Sequence, residues 1–152
     1  MIIINLENTT KKYEYSPKKI EFINWVKKVP HIKKKNFITI RIVDSQEIKK
    51  LNFFYRNQKK PTNILSFPYN LYLNSNNILL GDLVICSKII KKEAKKQKKN
   101  IKGHWAHIFI HGVLHLLGYN HIKKKETKKM ELLECTILKK LGFKNPYISN
   151  MI

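Results

Sequence analysis

The hydrophobic pattern of this chain becomes entirely helical from Ser87 onward. Before that point apolar and polar residues alternate as they do along half-buried strands, most clearly in Asn36–Val43. After it, apolar residues recur every three or four positions, which is typical of amphipathic helices. Strands early and helices late favour an α+β fold, here a small mixed β-sheet with helices packed on it. No repeat, linker or break in composition interrupts the chain, so we expect one domain over residues 1–152.

The positions of the elements follow from these patterns and from the residues that begin and end helices. The predicted strands are Met1–Leu6, Asn36–Val43, Thr62–Tyr69 and Leu79–Cys86, with an exposed loop over Asn70–Asn77. The predicted helices are Pro17–Lys28 with Ser16 as N-cap, Ser45 to about Asn57 with Asp44 or Ser45 as N-cap, Ser87–Lys99, Lys102–Leu117, and one between His121 and Leu141. Gly118 is expected to end the fourth helix, because glycine readily takes the left-handed conformation.

Composition excludes several classes of protein. An apolar content of 43% is too high for a disordered basic tail, and 152 residues suffice for one core. The apolar runs are shorter than the ~20 residues of a membrane span, and Met1–Ile4 is shorter than the roughly 7–15 apolar residues of a signal peptide. Cys86 and Cys135 form neither a disulfide framework nor a metal-ligand pair, which suits a reducing cytosol. We therefore expect a cytoplasmic protein with no membrane partner.

The net charge of +21 comes from 31 lysine and arginine residues against 10 aspartate and glutamate residues. A basic surface attracts polyphosphates without sequence preference, which would suit a nucleic-acid partner. Only Arg41 and Arg56 are arginines, however, and lysine, asparagine and isoleucine are all encoded by A/T-rich codons. A drift of the genome toward A/T would give the same composition, so the charge alone does not decide between the two explanations.

Five of the six histidines lie between His104 and His121. His111 and His115 are four residues apart, so their imidazoles lie on one face of a helix. Gly118 turns the chain and His121 follows, giving the pattern His-x-x-x-His-x-x-Gly-x-x-His. Three such ligands leave a fourth position open, as in catalytic zinc sites, where bound water has a pKa near 7. We expect His104 and His107 to pack, to form hydrogen bonds or to line the cleft.

The same spacing occurs in the metzincin proteases, where glutamate follows the first histidine and acts as general base. In this chain that position is Gly112. Met130 lies where a protease would have a downstream methionine, but it also belongs to an apolar helical stripe with Leu133, Ile137 and Leu141, which is more typical of core residues. The three-histidine site is therefore present without the protease base.

The segment from His111 to His121 resembles the zinc signature of the YbeY family of bacterial endoribonucleases and rRNA maturation factors. Other stretches agree with the same family: Tyr55–Arg56, Pro61–Pro68, Gly81–Ile85 and Trp105–His107. The resemblance implies one zinc ion per chain, on His111, His115 and His121, and cleavage of single-stranded RNA. It also implies work on the 3′ end of 16S rRNA and in ribosome quality control, with rRNA precursors and the small ribosomal subunit as partners and no DNA.

The remaining site residues are predicted from chemistry and from this resemblance. Arg56 and the ligand His111 are the predicted catalytic residues, because a planar guanidinium can hold two phosphoryl oxygens at once. The residues predicted to bind substrate are Arg56, Lys60, Ser66 and Phe67. Those predicted to orient the metal ligands without touching the metal are Asp82, His107 and Asn120. Each has an ordinary alternative: a surface salt bridge for Arg56, a core position for Phe67 and a turn position for Asp82.

Two positions depart from the family pattern. Asn120 stands where the family has aspartate, and Lys59 where it commonly has an acidic residue. We expect both to tune activity rather than abolish it. Two other functions stay open at this point: a zinc hydrolase of another class, such as a degenerate metzincin-like protease, and a non-catalytic ribosome-assembly factor with structural zinc. The sequence does not decide whether water or the RNA 2′-hydroxyl is the nucleophile.

Overall fold

The computed structural model describes residues 2–10, 14–30, 32, 35–74 and 76–147, and the period change at Ser87 is the junction between its last strand and the helix that follows. The strands are β1 (Ile2–Asn8), β2 (Lys35–Val43), β3 (Ile64–Tyr72) and β4 (Asn77–Cys86). The helices are α1 (Lys19–Val26), α2 (Ser45–Arg56), α3 (Ser87–Lys96), α4 (Ile101–Leu116) and α5 (Lys124–Lys140).

The four strands form one mixed sheet in the order β1-β2-β4-β3. β1 pairs with β2 and β2 with β4 in parallel, whereas β3 and β4 are antiparallel. The predicted α+β class and mixed sheet are confirmed. β3 is an edge strand, and Ser66 and Phe67 lie on it opposite Leu83 and Asp82 of β4.

The larger hydrophobic core lies between one face of the sheet and α1, α3, α4 and α5. It includes Ile38, Ile40 and Ile42 of β2, the alternating residues that predicted this strand. Helix α4 runs through this core: from His104 to Leu116 every residue is buried except His111 and His115. A nearly all-apolar helix therefore opens to solvent at the two histidines that have metal-ligand spacing.

A smaller cluster covers the other face of the sheet, where Ile48 of α2 packs with Val43, Leu65, Val84 and Cys86. Asp44 caps α2 as predicted, because its side chain accepts a hydrogen bond from the Glu47 amide at 2.8 Å. Helices α2 and α4 consequently lie on opposite faces of the sheet, and the edge strand β3 runs between them.

Several predicted boundaries were wrong in detail. Lys18, not Ser16, is the N-cap of α1: Glu21 accepts from the Lys18 amide at 2.9 Å, while the Ser16 hydroxyl accepts from Asn8. The loop expected over Asn70–Asn77 is shorter, because a bulge at Asn70, which has φ of 49°, lets β3 continue past Pro68 to Tyr72. Helix α3 ends at Lys96 rather than Lys99, and α5 begins at Lys124.

Three further observations complete the fold. Met1, the first residue of the first predicted strand, lies outside the described residues. Both cysteines are free, Cys86 buried and Cys135 partly exposed. Within the described ranges, no helix has the length and apolar character needed to cross a lipid bilayer.

Candidate metal centre

The C-terminal end of α4 turns back toward its own histidines. Gly118 adopts a φ of +100°, its amide donates to the His115 carbonyl at 3.0 Å, and the Tyr119 amide donates to the Leu114 carbonyl at 3.0 Å. These hydrogen bonds form the left-handed helix end that favours glycine. The predicted stop at Gly118 is confirmed, and the turn carries His121 to the side of α4 where His111 and His115 lie.

The three predicted ligands form one cluster. One nitrogen from each of His111, His115 and His121 can be chosen so that all three lie within 4.8 Å of one another. The ring centroids of His111 and His115 are 4.6 Å apart, and His121 lies 4.9 Å from His115 and 5.6 Å from His111. His111 and His115 are partly buried, whereas His121 is exposed. Such a cluster has the donor set and the size of a site for one metal ion.

Hydrogen bonds at Nδ1 fix the orientation of two of these rings, those of His111 and His115. The Nδ1 of His115 donates to the backbone carbonyl of Tyr119 at 2.9 Å, and the Nδ1 of His111 donates to the carboxylate of Glu134. Both partners only accept, so each ring carries a proton on Nδ1, and Nε2 is the nitrogen that faces the cluster. This is the arrangement in which histidine binds zinc through Nε2.

The two Nε2 atoms lie 3.0 Å apart. At this distance the two nitrogens can share either a proton, which one donates to the other, or a metal ion that both lone pairs bind. The residues present therefore fit a metal ion, and the three-nitrogen donor set fits zinc, which binds histidine in four-coordinate sites with one position left for water or substrate.

The pKa of His115 is also suited to metal binding. Burial of the ring, together with the neighbouring His111 and His121, lowers that pKa to about 4. His115 is therefore neutral at physiological pH, and its lone pair does not have to be freed by loss of a proton.

The carboxylate behind the cluster is Glu134 of α5, which the sequence analysis missed. Its side chain is fully buried and contacts His111 Nδ1, His107 Nε2 at 3.3 Å and the Tyr147 hydroxyl. Burial alone raises the pKa of Glu134, but the hydrogen bonds from His107, His111 and Tyr147 outweigh it and bring the pKa to about 2. Glu134 is thus a permanent anion that orients His111.

The sequence did contain a signal for Glu134. It lies four residues after Met130 and three before Ile137, in the apolar stripe of α5 that was interpreted as core. An acidic residue at an inward position of such a stripe needs a buried partner, and the histidines of α4 supply it.

The other predicted supporting residues have different surroundings. His107 is buried and reaches the cluster through Glu134 and Tyr147, with its pKa lowered by burial. Asp82 does not contact the histidines and does not lie in a turn: it is a β4 residue whose carboxylate accepts from the Tyr69 hydroxyl at 2.8 Å. Asn120 is exposed, and no hydrogen bond joins it to a described histidine.

A cleft of about 350 Å³ opens over the cluster. Its walls come from α2, the segment before β3, β3 itself, α4 and the chain after α5, and its lining residues are Arg56, Thr62, Asn63, Ile64, Ser66, His107, Ile108, His111, His115, His121 and Tyr147. The predicted substrate-binding residues Arg56 and Ser66 are among them. A larger cavity of about 680 Å³ lies beyond Tyr147 and contains none of the three clustered histidines.

The structure separates the two other predicted substrate-binding residues from the cleft walls. Lys60 is exposed, with its backbone carbonyl accepting from the Asn52 side chain at 2.8 Å. Phe67 packs partly into the smaller core and edge-to-face against Tyr55, with ring centroids 4.9 Å apart. Its core alternative is therefore partly correct.

The two arginines differ in their partners. Arg41 forms ion pairs with Glu47 at 2.8 Å and Glu7 at 3.6 Å. Arg56, in the last turn of α2, is exposed, and in the described parts of the chain no carboxylate forms an ion pair with it. The salt-bridge alternative for Arg56 is thus not observed, and its guanidinium is available to an anion in the cleft.

Gly112 lies where α4 packs most closely on the sheet. A Cβ atom there would come within 2.5 Å of the Ile64 Cδ1 and 3.0 Å of the Leu83 Cδ2. A glutamate side chain, as in the metzincins, would fit at this position only if Ile64 and Leu83 shifted.

Comparison with known proteins gives the same picture. The chain is 54% identical over 148 residues to the endoribonuclease YbeY of Buchnera aphidicola subsp. Acyrthosiphon pisum, covering 97% of this chain and 96% of that protein. It is 50% identical over 147 residues to the same enzyme of Buchnera aphidicola subsp. Schizaphis graminum, covering 96% and 93%.

A solution structure from Thermotoga maritima shares the fold, with a TM-score of 0.57 at 23% identity over 93% of this chain and 92% of that one. The profile of one family, described as endoribonuclease YbeY, matches residues 4–142. That match and the two relatives extend over nearly the whole chain and over every element of the histidine cluster. The chain belongs to the YbeY family of endoribonucleases.

Proposed function

We propose that this chain is a zinc-dependent endoribonuclease specific for single-stranded RNA, acting in 3′-end maturation of 16S rRNA and in ribosome quality control. The observation that carries the proposal is the convergence of His111, His115 and His121, with the Nε2 atoms of the first two 3.0 Å apart, in a cleft that Arg56 also lines. Family membership supports RNA as the substrate. The activity is assigned to residues 1–152 as a single domain.

His111, His115 and His121 are the residues that would hold the zinc ion. Zinc bound there supplies a Lewis acid that activates water near neutral pH and polarises a phosphoryl oxygen. Glu134 contributes by fixing the ring of His111, since its carboxylate accepts the Nδ1 proton and keeps Nε2 directed at the cleft. Tyr147 and His107 in turn fix the carboxylate of Glu134.

Arg56 has the second catalytic role. Cleavage of a phosphodiester builds negative charge on the phosphoryl oxygens, and a guanidinium can donate two parallel hydrogen bonds to them. Arg56 lies in the wall of the cleft with no protein carboxylate competing for it within the described ranges. Ser66 offers a hydroxyl from the same wall, and Lys60 and Phe67 are proposed to meet the RNA outside the cleft.

Two nucleophiles are compatible with this arrangement, and they give different products. Attack by the ribose 2′-hydroxyl leaves a 2′,3′-cyclic phosphate, whereas attack by water leaves a linear phosphate. Mass spectrometry of the cleaved ends therefore identifies the nucleophile without further assumptions.

The decisive experiment is cleavage of matched single- and double-stranded RNA with and without a chelator, followed by re-addition of zinc. We expect the single strand to be cut, the chelator to stop the reaction and zinc to restore it. Cleavage by metal-free protein would refute the metal-dependent mechanism. Equal cleavage of both substrates would refute single-strand specificity.

A non-catalytic assembly factor with structural zinc is the remaining alternative. It predicts zinc binding without RNA cleavage, and loss of zinc should then unfold the protein rather than only inactivate it. The open cleft above the cluster favours catalysis, because structural zinc sites are closed by a fourth protein ligand.

The cellular part of the proposal concerns the cytoplasm, where ribosomes are assembled. Loss of the protein should leave 16S rRNA with an unprocessed 3′ end in small-subunit precursors. Mapping of 16S 3′ ends in depleted cells, complemented by wild type or by Arg56→Ala, tests this directly. Correct 3′ ends in cells with Arg56→Ala would show that maturation does not depend on cleavage at this site.

A further inference from the structure

Three consecutive aromatic residues end helix α2 on its solvent side, and we call them the α2 platform: Phe53, Phe54 and Tyr55. Their residue surfaces are 48%, 78% and 59% exposed. The buried residues of α2 are Ile48 and Asn52, so the platform is not what holds the helix to the sheet. A contiguous exposed apolar patch on a small protein marks a surface that binds something.

Two rings of the platform, Phe54 and Tyr55, are held in fixed relation to each other. Phe54 and Tyr55 pack edge-to-face with centroids 4.9 Å apart, and Tyr55 packs in the same way against Phe67 of β3, also at 4.9 Å. Anchoring through Phe67 orders Tyr55 before any ligand arrives. A preordered aromatic surface loses little conformational entropy when a planar ligand stacks on it.

The platform adjoins the cleft at the end of α2. Arg56, which lines the cleft, directly follows Tyr55 in the last turn of that helix. A polymer with one phosphate at Arg56 therefore has its neighbouring units beside the platform. A small molecule confined to the cleft would not need this surface.

The charges around the platform fit a polyanion. Lys49, Lys50, Lys59 and Lys60 are exposed on the same helix and on the segment that follows it. The Nζ of Lys59 lies 5.8 Å from the ring centroid of Phe53. Aromatic faces for bases, interleaved with cations for phosphates, are the combination by which proteins bind single-stranded nucleic acid.

We propose that the α2 platform is a stacking site for bases of single-stranded RNA next to the phosphodiester held at Arg56, an inference that rests on the proposed function. Bases that are paired in a duplex cannot offer their faces to exposed rings. The platform thus supplies a physical reason for a preference for single strands. Binding of a protein partner would not require the neighbouring lysines, and the test below distinguishes that case.

The test compares Phe54→Leu, Phe54→Trp and wild type, because Phe54 is the most exposed ring and its replacement leaves the core untouched. Binding of a fluorescent 2′-O-methyl oligoadenylate to zinc-loaded full-length protein is followed by anisotropy, with the oligonucleotide checked for integrity afterwards. We expect Phe54→Leu to weaken binding about tenfold, since one stacked base contributes roughly 1–3 kcal/mol. Phe54→Trp should bind the oligonucleotide as tightly as wild type or more tightly, because tryptophan keeps an aromatic face for stacking. Leucine keeps apolar surface but has no such face.

Two controls make the result specific. Leu132→Ala removes an apolar side chain that is 69% exposed on α5 and should leave binding unchanged. Lys59→Gln should lower the slope of log affinity against log salt by about 0.7, whereas Phe54→Leu should weaken binding without changing that slope. In cleavage assays, Phe54→Leu should raise KM for single strands with kcat unchanged.

The outcomes separate the platform from the proposed function. Wild-type cleavage of single strands with equal affinity and KM in Phe54→Leu overturns the platform alone. Absence of binding and cleavage in wild type overturns the proposed function and the platform together. Unchanged RNA affinity with self-association that disappears in Phe54→Leu, seen by light scattering, would identify a protein–protein surface and overturn the stacking site.

Discussion

Two of the histidine–carboxylate pairs of helix α4 look alike and differ in what lies on the other side of the ring. His104 is buried and bonds Glu93 through Nε2 at 3.0 Å, and its Nδ1 is buried with no hydrogen-bond partner in the described structure. His111 bonds Glu134 through Nδ1 and presents Nε2 to a second imidazole at the cleft. A carboxylate bonded to a histidine therefore does not by itself make a metal site; the ring must also present its other nitrogen to further ligands in an open cleft.

Substitution of the two histidines should separate the pairs most strongly. We expect His111→Ala to lose its zinc and to cut RNA no faster than background, because two nitrogens remain where three are needed. His104→Ala should retain about one zinc per chain and most activity, while losing about 1–3 kcal/mol of folding free energy as Glu93 loses a partner. Elemental analysis, cleavage assays and urea unfolding measure these effects, and a full zinc content in His111→Ala would contradict the assignment.

The two arginines differ in the same way, one open to the cleft and one paired within the protein, although neither is a metal ligand. Arg56→Ala should lower RNA cleavage by about 10²–10³-fold with zinc content and melting temperature unchanged, as expected when one donor to a developing oxyanion is removed. Arg41→Ala loses only a partly exposed ion-pair network away from the cleft and should stay within about twofold of wild type. Equal rates for the two variants would remove Arg56 from the mechanism.

Substitution of the two carboxylates, Glu134 and Glu93, should give a smaller difference, in zinc affinity. Glu134→Gln keeps the shape of the side chain but not its charge, and we expect zinc affinity to fall about 10–100-fold, as it does when partners of ligand histidines are changed. Glu93→Gln should leave zinc affinity unchanged. Competition with a chromophoric chelator measures both, and an unchanged affinity in Glu134→Gln would show that the carboxylate does not orient His111.

The smallest expected effect is in the pH dependence of stability. Burial raises the pKa of Glu93, but hydrogen bonds from His104 and Asn63 outweigh it and hold the pKa below its usual range. Because the folded-state pKa is lowered, this contribution is present above the unfolded pKa of about 4.3 and is lost as pH falls below it. The melting temperatures of wild type and Glu93→Gln should therefore converge at acidic pH. A difference between them that grows as pH falls would contradict the prediction.

The sequence predicted those parts of the site that depend on local spacing. The turn at Gly118 and the convergence of His111, His115 and His121 follow from eleven consecutive residues, which is why they were found. Glu134 was missed because it meets His111 across 23 positions of sequence, through the packing of α5 on α4. Periodicity marked its position as buried but not what it would face.

The surroundings of Asp82 and Phe67 could not be predicted from spacing for a related reason. Asp82 was predicted to support a ligand histidine and Phe67 to bind substrate, but the face of the sheet to which a strand residue points depends on how the strands pack. Phe67 lies opposite Asp82, one residue on from Ser66, so it faces α2 while Ser66 faces the cleft. The mixed sheet itself was predicted because its alternating apolar strands and the helices after Ser87 are local patterns.

The tight contact at Gly112 has a consequence for how this scaffold could be redesigned or could diverge. Three histidines at metzincin spacing suggest that a peptidase lies one substitution away, through Gly112→Glu. The space around the missing Cβ is filled by Ile64 and Leu83, which belong to two strands of the same sheet. Introducing that glutamate would require the ends of these two side chains to shift or to be shortened, so the route between the two chemistries involves the core of the sheet as well as the site.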